Sequence, residues 1–320
     1  MLEVIKHPAF IWSVVGVIVA GLLMWLISYL VASYLVYKKT LSRGSKNRWT
    51  RDVPSELSPE QIKMYDTGVQ WGKESAHAKK DVHIVHKGLN LYGEYYDFGS
   101  DTLAVIISGR TEALVYGYYF AIPYAKNGCN VLVLDQRAHG LSDGEFNTVG
   151  FEESGDLIAW MKYMVAEFGV KKIIFHGICI GSASGMLAIT NPECPKEVQA
   201  MVTEGMFVNF GESLKNHLIE LKKPVFGIYG LIRFWMRKYT GYDMIYGPID
   251  VIDKLDRPIL MLQSKEDLYS TPENAVKLYE KAGSQKKELV WFEHGKHSML
   301  RITDTERYDG MIAKFLNEIK

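Results

Sequence analysis

Residues 171–189 read KKIIFHGICIGSASGMLAI, and this stretch decides the fold. Its first six residues carry the β-branched and aromatic composition of a strand, and the last eight, SASGMLAI, are compatible with a helix. Between them stand Gly177-Ile178-Cys179-Ile180-Gly181, with a glycine two residues to either side of a central cysteine. That is the spacing of a strand-to-helix nucleophile elbow, whose central residue is commonly serine. A strand that reverses directly into a helix brings neighbouring backbone against the elbow, where side chains at 177 and 181 would clash. The central side chain is thrust outward at the start of a helix, where the dipole favours a negative charge. Ser182 and Ser184 lie close by, but neither has glycines two residues away on both sides, so Cys179 is the candidate nucleophile.

Working outward, short runs of the same style recur at 81–86, 89–98, 102–108, 130–135, 198–204, 258–263 and 288–293. Stretches of helical length separate them at 114–127, 151–168, 272–283 and 304–319. Continuous apolar strands alternating with helices predict a mostly parallel, doubly covered sheet, with the closely spaced first pair as an antiparallel edge hairpin. Between Glu204 and Pro258 the alternation stops, and an aromatic-rich segment of about 206–250 suggests a cap inserted over the sheet's carboxyl edge.

A nucleophile of this kind needs a base and an acid that orients it, which follow in that chain order after later strands: nucleophile, acid, histidine. After PILMLQ comes Ser264-Lys265-Glu266-Asp267, and after ELVWFE comes His294-Gly295-Lys296-His297. Asp267 and His297 are the expected acid and base, with Glu204 as the alternative acid and His294 as the competing base. Asp135 and His139, in a loop after a strand, are expected to brace it.

The 37 basic residues balance 37 acidic ones, so no electrostatic footprint for nucleic acid is present. Cys129, Cys179 and Cys194 are too few and scattered for a disulfide framework or a zinc site, and no metal or cofactor is expected. Pro8 to Tyr37 contains thirty residues without a charge, where about twenty suffice to span a bilayer. Residues 1–37 are therefore expected to be a transmembrane anchor with the lipid bilayer as its partner. Residues 38–80 are expected to be a basic, polar linker containing a helix start at Ser58-Pro59-Glu60, and 81–320 the catalytic domain; removal of residues 1–50 should then leave that domain folded. Lys6 alone is basic before the span, whereas Lys38, Lys39, Arg43, Lys46, Arg48 and Arg51 follow it, which puts the domain on the cytoplasmic side. Residues 226–239, FGIYGLIRFWMRKY, mix aromatics with Arg233, Arg237 and Lys238 and suit a bilayer surface.

From about residue 80 onward the chain resembles the α/β-hydrolase superfamily, in particular bacterial membrane-anchored hydrolases of the serine-aminopeptidase-like group. The resemblance rests on SGRTEALVYGYYF at 108–120, LDQRAHGLSDGEF at 134–146, HGICIGSASG at 176–185, QSKEDLYSTP at 263–272 and HGKHSML at 294–300. It implies an α/β-hydrolase fold and an oxyanion hole formed by the backbone N–H groups of Arg110 and Ile180. Three positions depart from the family's pattern: Ser108 stands for a histidine, Ala138 for a glycine and Cys179 for the serine. A thiolate is a better nucleophile than a hydroxyl and a better leaving group, which suits activated acyl substrates. The expected function is hydrolysis of a small-molecule carboxylic ester, thioester or lactone through an acyl-enzyme, as in the cysteine-using dienelactone-hydrolase branch. The alternatives are a peptidase of the same group or a non-catalytic binding protein that keeps the fold.

Overall fold

A computed structural model describes residues 8–43 and 58–319. Eight strands form one sheet: β1 (Lys79–His86), β2 (Leu89–Tyr96), β3 (Thr102–Ile107), β4 (Asn130–Leu134), β5 (Lys172–Ile178), β6 (Val198–Glu204), β7 (Ile259–Ser264) and β8 (Lys287–Phe292). Their order is β1-β2-β4-β3-β5-β6-β7-β8. β1 and β2 form the expected antiparallel hairpin, and β2 also runs antiparallel to β4. From β4 to β8 every pairing is parallel.

The period-2 geometry of a strand divides its side chains between two cores. In β3, Leu103, Val105 and Ile107 face one cluster, and Ala104 and Ile106 face the other. The first cluster is closed by α4 (Phe151–Phe168), α5 (Ile180–Ile189) and α8 (Pro272–Lys281). The second is closed by α3 (Leu114–Lys126) and α10 (Thr305–Glu318), the latter preceded by one turn, α9 (Leu300–Thr303). Helices on both faces explain why the strands read as unbroken apolar runs. This is the α/β-hydrolase fold.

The structure corrects the expectation for the chain before the sheet. α1 (Pro8–Leu41) does not release the chain at Tyr37; Ser33, Tyr37 and Leu41 are buried in the domain. Arg43 N donates to Glu145 O at 2.9 Å, and Asn147 N donates to Leu41 O at 2.8 Å. Nor is 58–80 a linker. Ser58 and Gln61 form a capping box that starts α2 (Pro59–Glu74), with Pro59 in the first turn. α2 lies tightly on α3, since a Cβ at Gly68 would stand 2.8 Å from Tyr119 N, and Trp71 packs on Tyr96. Met64, Tyr65 and Trp71 share the face that packs on the core beside Gly68. Residues 44–57 lie outside the described residues. Between β6 and β7, α6 (Phe210–Glu220) and α7 (Ile228–Thr240) fill the expected insertion. α7 packs along α1: Trp235 Nε1 donates to Ser33 Oγ at 2.9 Å, and Tyr37 stacks between Phe146 and Tyr239.

Candidate active site

Three parallel strands deliver the site from their carboxyl ends. β5 runs into Cys179, which holds φ 54° and ψ −114° before α5 begins. A non-glycine residue held there costs on the order of 1–3 kcal/mol, offset by the surrounding packing. The flanking glycines are required by contact. A Cβ at Gly181 would lie 2.0 Å from Ile107 O, and one at Gly177 would lie 2.5 Å from Ser182 Cα and N. Ser182 Oγ donates to Gly177 O at 2.6 Å and Ser184 Oγ to Ile180 O at 3.0 Å; both hydroxyls are buried and turned to backbone.

β7 ends at Ser264 and β8 at Phe292, and the loops after them bring Asp267 and His297 together. His297 Nδ1 lies 2.7 Å from Asp267 Oδ2. Asp267 is buried, and its other oxygen accepts from Tyr269 N at 2.8 Å and Ser270 N at 2.9 Å. Burial alone would push this carboxyl up, but the facing imidazolium and these N–H groups hold it below its ordinary range. Burial likewise opposes protonation of His297, and the charges of Asp267 and of a Cys179 thiolate, each reinforced by a hydrogen bond, outweigh it. The imidazole is held well above its ordinary pKa. Cys179 and His297 line one cavity, and Asp267 stands behind the ring.

The alternatives are engaged elsewhere. His294 is largely exposed and pairs through Nδ1 with Glu266 Oε1 at 3.0 Å. Glu204 lies beneath the histidine loop, where Oε1 accepts from Leu300 N at 3.0 Å and Oε2 from the Tyr308 hydroxyl at 2.7 Å. Burial pushes its carboxyl up to about 7.

The loop at 108–113 faces the elbow, with a Cβ built on Gly109 falling 3.8 Å from Cys179 Cβ. Asp135 and His139, expected to brace their own loop, also hold this one, together with Gln136. Asp135 Oδ1 accepts from Leu114 N at 2.7 Å, Gln136 Nε2 donates to Ser108 O at 2.8 Å, and His139 Nε2 accepts from Thr111 N at 3.2 Å. Burial pushes His139 down to about 4, so its ring is neutral and can accept at Nε2. Ala138, where the family pattern has glycine, is held at φ 63°, the left-handed region that glycine occupies without strain.

Arg110 and Ile180 line a cavity of about 300 Å³ together with Cys179 and His297. Thr40 at the end of α1 and Met64 and Tyr65 of α2 line it from segments that sequence reasoning left out of the site, and Phe210 and Leu214 of α6 line it from the expected cap. Arg110 Nη1 donates to Thr40 O at 3.0 Å, tying this loop to the end of α1. Gly205 was also missed. It sits at φ 60°, and a Cβ there would meet the His297 ring at 3.0 Å, so the base can occupy its place only beside a glycine. Its signal was a glycine directly after a strand end.

Residues 104–228 match the family model described as alpha/beta hydrolase fold. Among curated proteins, the uncharacterized protein YqkD of Bacillus subtilis is 28% identical over 218 residues, covering 67% of this chain and 71% of its own length. Among solved structures, the esterase Pf2001 of Pyrococcus furiosus superimposes with a TM-score of 0.64 at 21% identity, covering 78% of this chain and 94% of its own. Est816, described as an N-acyl homoserine lactone degrading enzyme, superimposes with a TM-score of 0.54 at 17% identity, covering 73% and 100%.

Proposed function

We propose that this chain, which has the α/β-hydrolase fold, is a membrane-anchored hydrolase of carboxylic esters, thioesters or lactones, with Cys179, His297 and Asp267 as its triad. The observation that carries the reading is the arrangement itself: a histidine whose Nδ1 faces a buried carboxylate at 2.7 Å and which lines one cavity with the elbow cysteine. That Pf2001 is an esterase and Est816 degrades a lactone agrees with it.

In this reading the Cys179 thiolate attacks the acyl carbon while His297 is protonated. The S–C bond forms, and the carbonyl π electrons move to oxygen, which the N–H groups of Ile180 and Arg110 receive. As the intermediate collapses, the bond to the leaving oxygen or sulfur breaks and His297 gives that atom its proton. Water then enters, His297 takes one of its protons, and hydroxide displaces the thiolate to free the acid. Asp267 fixes the imidazole tautomer and stabilises its charged form.

Anchoring is supported by α1, whose 34 residues are apolar enough to cross a membrane. Cleavage at the end of the apolar run would remove Tyr37 from the domain core, which favours a retained span. The basic residues after the span support a cytoplasmic domain.

Purified full-length protein treated with a thioester acyl probe and digested for mass mapping should carry the acyl group on Cys179. Cys179→Ala should abolish both labelling and turnover. Acylation of another residue, or full turnover in the variant, overturns the assignment.

A further inference from the structure

The α6–α7 connection stands out among the exposed surfaces. Ile219, Leu221 and Phe226 are 56%, 51% and 91% exposed, with Lys222 and Lys223 exposed between them. A polar loop would be the ordinary solution for a solvent-facing turn between helices. The position of this turn is fixed by α1. Along the α1–α7 contact, Gly227 meets Tyr29, Trp235 meets Ser33 and Tyr34, and Tyr239 meets Tyr37. The two helices therefore run in the same direction, and the start of α7 is its end nearest the apolar span.

Helix length supplies the level. From Pro8 to Ser28 α1 is exposed throughout, and Tyr29 is the first residue the domain covers. That free segment is about 21 residues, roughly 32 Å at about 1.5 Å per residue. The hydrocarbon core of a bilayer is about 30 Å thick. Trp25 and Tyr29, packed on each other, fall where interfacial aromatics sit. Phe226, next to Gly227, is then at the boundary between acyl chains and headgroups.

We propose that the α6–α7 turn is a second membrane contact, with Ile219, Leu221 and Phe226 entering the lipid and Lys222 and Lys223 extending to anionic headgroups. The proposal rests on the anchored reading above. It replaces the idea of a surface-lying helix at 226–239, since α7 runs along α1 and its basic groups are committed. Arg233 makes a two-point pair with Asp243 at 2.8 and 2.6 Å, and Lys238 lies over the Trp235 ring. α6 leads from this turn to the cavity, which Phe210 and Leu214 line. The contact would hold the cavity near the bilayer surface: Thr40, in its wall, is eleven residues past Tyr29, about 16 Å along α1.

The test uses full-length protein with Cys179→Ser, in which Cys129 and Cys194 are buried. Ser28→Cys, Phe226→Cys and Val85→Cys each receive an environment-sensitive fluorophore; Val85 is an exposed apolar residue of the edge strand. The proteins are reconstituted in phosphatidylglycerol-containing vesicles with lipids that carry a quencher on the acyl chain. Quenching at 226 comparable to that at 28, and several-fold above that at 85, supports the proposal. Quenching at 28 with none above background at 226, as when solvent or a second copy covers the turn, overturns it and leaves the anchor standing. No quenching at 28 overturns the anchored reading and the proposal with it.

Discussion

At the carboxyl edge of the sheet, Cys179, Asp267 and His297 hang from the ends of β5, β7 and β8. The wall across the cavity is made by α1, α2 and α6. Strand ends are fixed by ladders of backbone hydrogen bonds, so Cys179, one residue beyond β5, has little freedom, while Asp267 and His297, three and five residues beyond β7 and β8, hold each other. The helical wall has no such ladder. It is held by Tyr37 between two rings, by the close approach of Gly68 to α3 and by the bond from Arg110 to Thr40. The edge supplies the chemistry, and the wall sets the space in which an acyl group must fit.

The largest separation between the two regions is expected in catalysis. His297→Ala removes the base and should lower kcat/KM by about 10⁴-fold or more, while leaving the melting temperature nearly unchanged. Asp267→Asn should fall about as far, because the imidazole loses its orienting charge. It should also lower the alkaline limit of the pH–rate profile. The facing carboxylate helps hold the His297 pKa above its ordinary value, so its loss lets the ring deprotonate at lower pH. An alkaline limb that does not move would detach Asp267 from the base.

The wall should show the opposite pattern. Tyr37 is fully buried between Phe146 and Tyr239, and Tyr37→Ala should cost about 3–5 kcal/mol as read by thermal unfolding in detergent. Among the described residues its buried hydroxyl has no hydrogen-bond partner, so Tyr37→Phe should be neutral or slightly stabilising. If Tyr37→Ala melts like the parent, α1 is a tether after all and the wall is not part of the folded domain.

The contrast also explains what was legible in the sequence. The strands could be read because they are short runs of β-branched and aromatic residues, and the elbow because G-x-C-x-G is a local signal. The acid could not be read from the strand ends, since Glu204 ends one strand and Asp267 follows another; in the structure Asp267 faces His297, and Glu204 accepts from Leu300 N and Tyr308. The wall escaped for a different reason. Ser33, Tyr37 and Leu41 occupy one side of a helix that is apolar all round, so nothing distinguishes residues facing protein from those facing lipid.

Glu204 belongs to the edge yet should behave as a structural group. Its folded carboxyl titrates near 7, above an ordinary glutamate, so the folded protein binds more protons than the unfolded chain between about pH 4.5 and 7. Stability should therefore fall as pH rises across that window and level off above it, with this group contributing on the order of 2–3 kcal/mol. Glu204→Gln keeps an acceptor for Leu300 N, cannot ionise, and should flatten the slope. An unchanged slope would assign the pH dependence to other groups.

The smallest effect tests the seam between α1 and α7. Trp235→Phe deletes the donor to Ser33 Oγ but keeps an aromatic ring against Tyr34 and Tyr239. Ser33 Oγ still has Leu30 O as a partner at 2.9 Å, so no buried group is stranded, and the loss should be about 1 kcal/mol. Ser33→Ala differs in kind, because it leaves the indole N–H facing a seam with its acceptor gone. If that seam is dry, Ser33→Ala should cost about 1–3 kcal/mol, more than Trp235→Phe. If water enters, the indole finds a new acceptor and the two variants should melt alike. The order of the two melting temperatures thus reports whether α1 is packed on the cap as a protein interior or merely laid beside it, and a Ser33→Ala protein more stable than Trp235→Phe would rule out the dry seam.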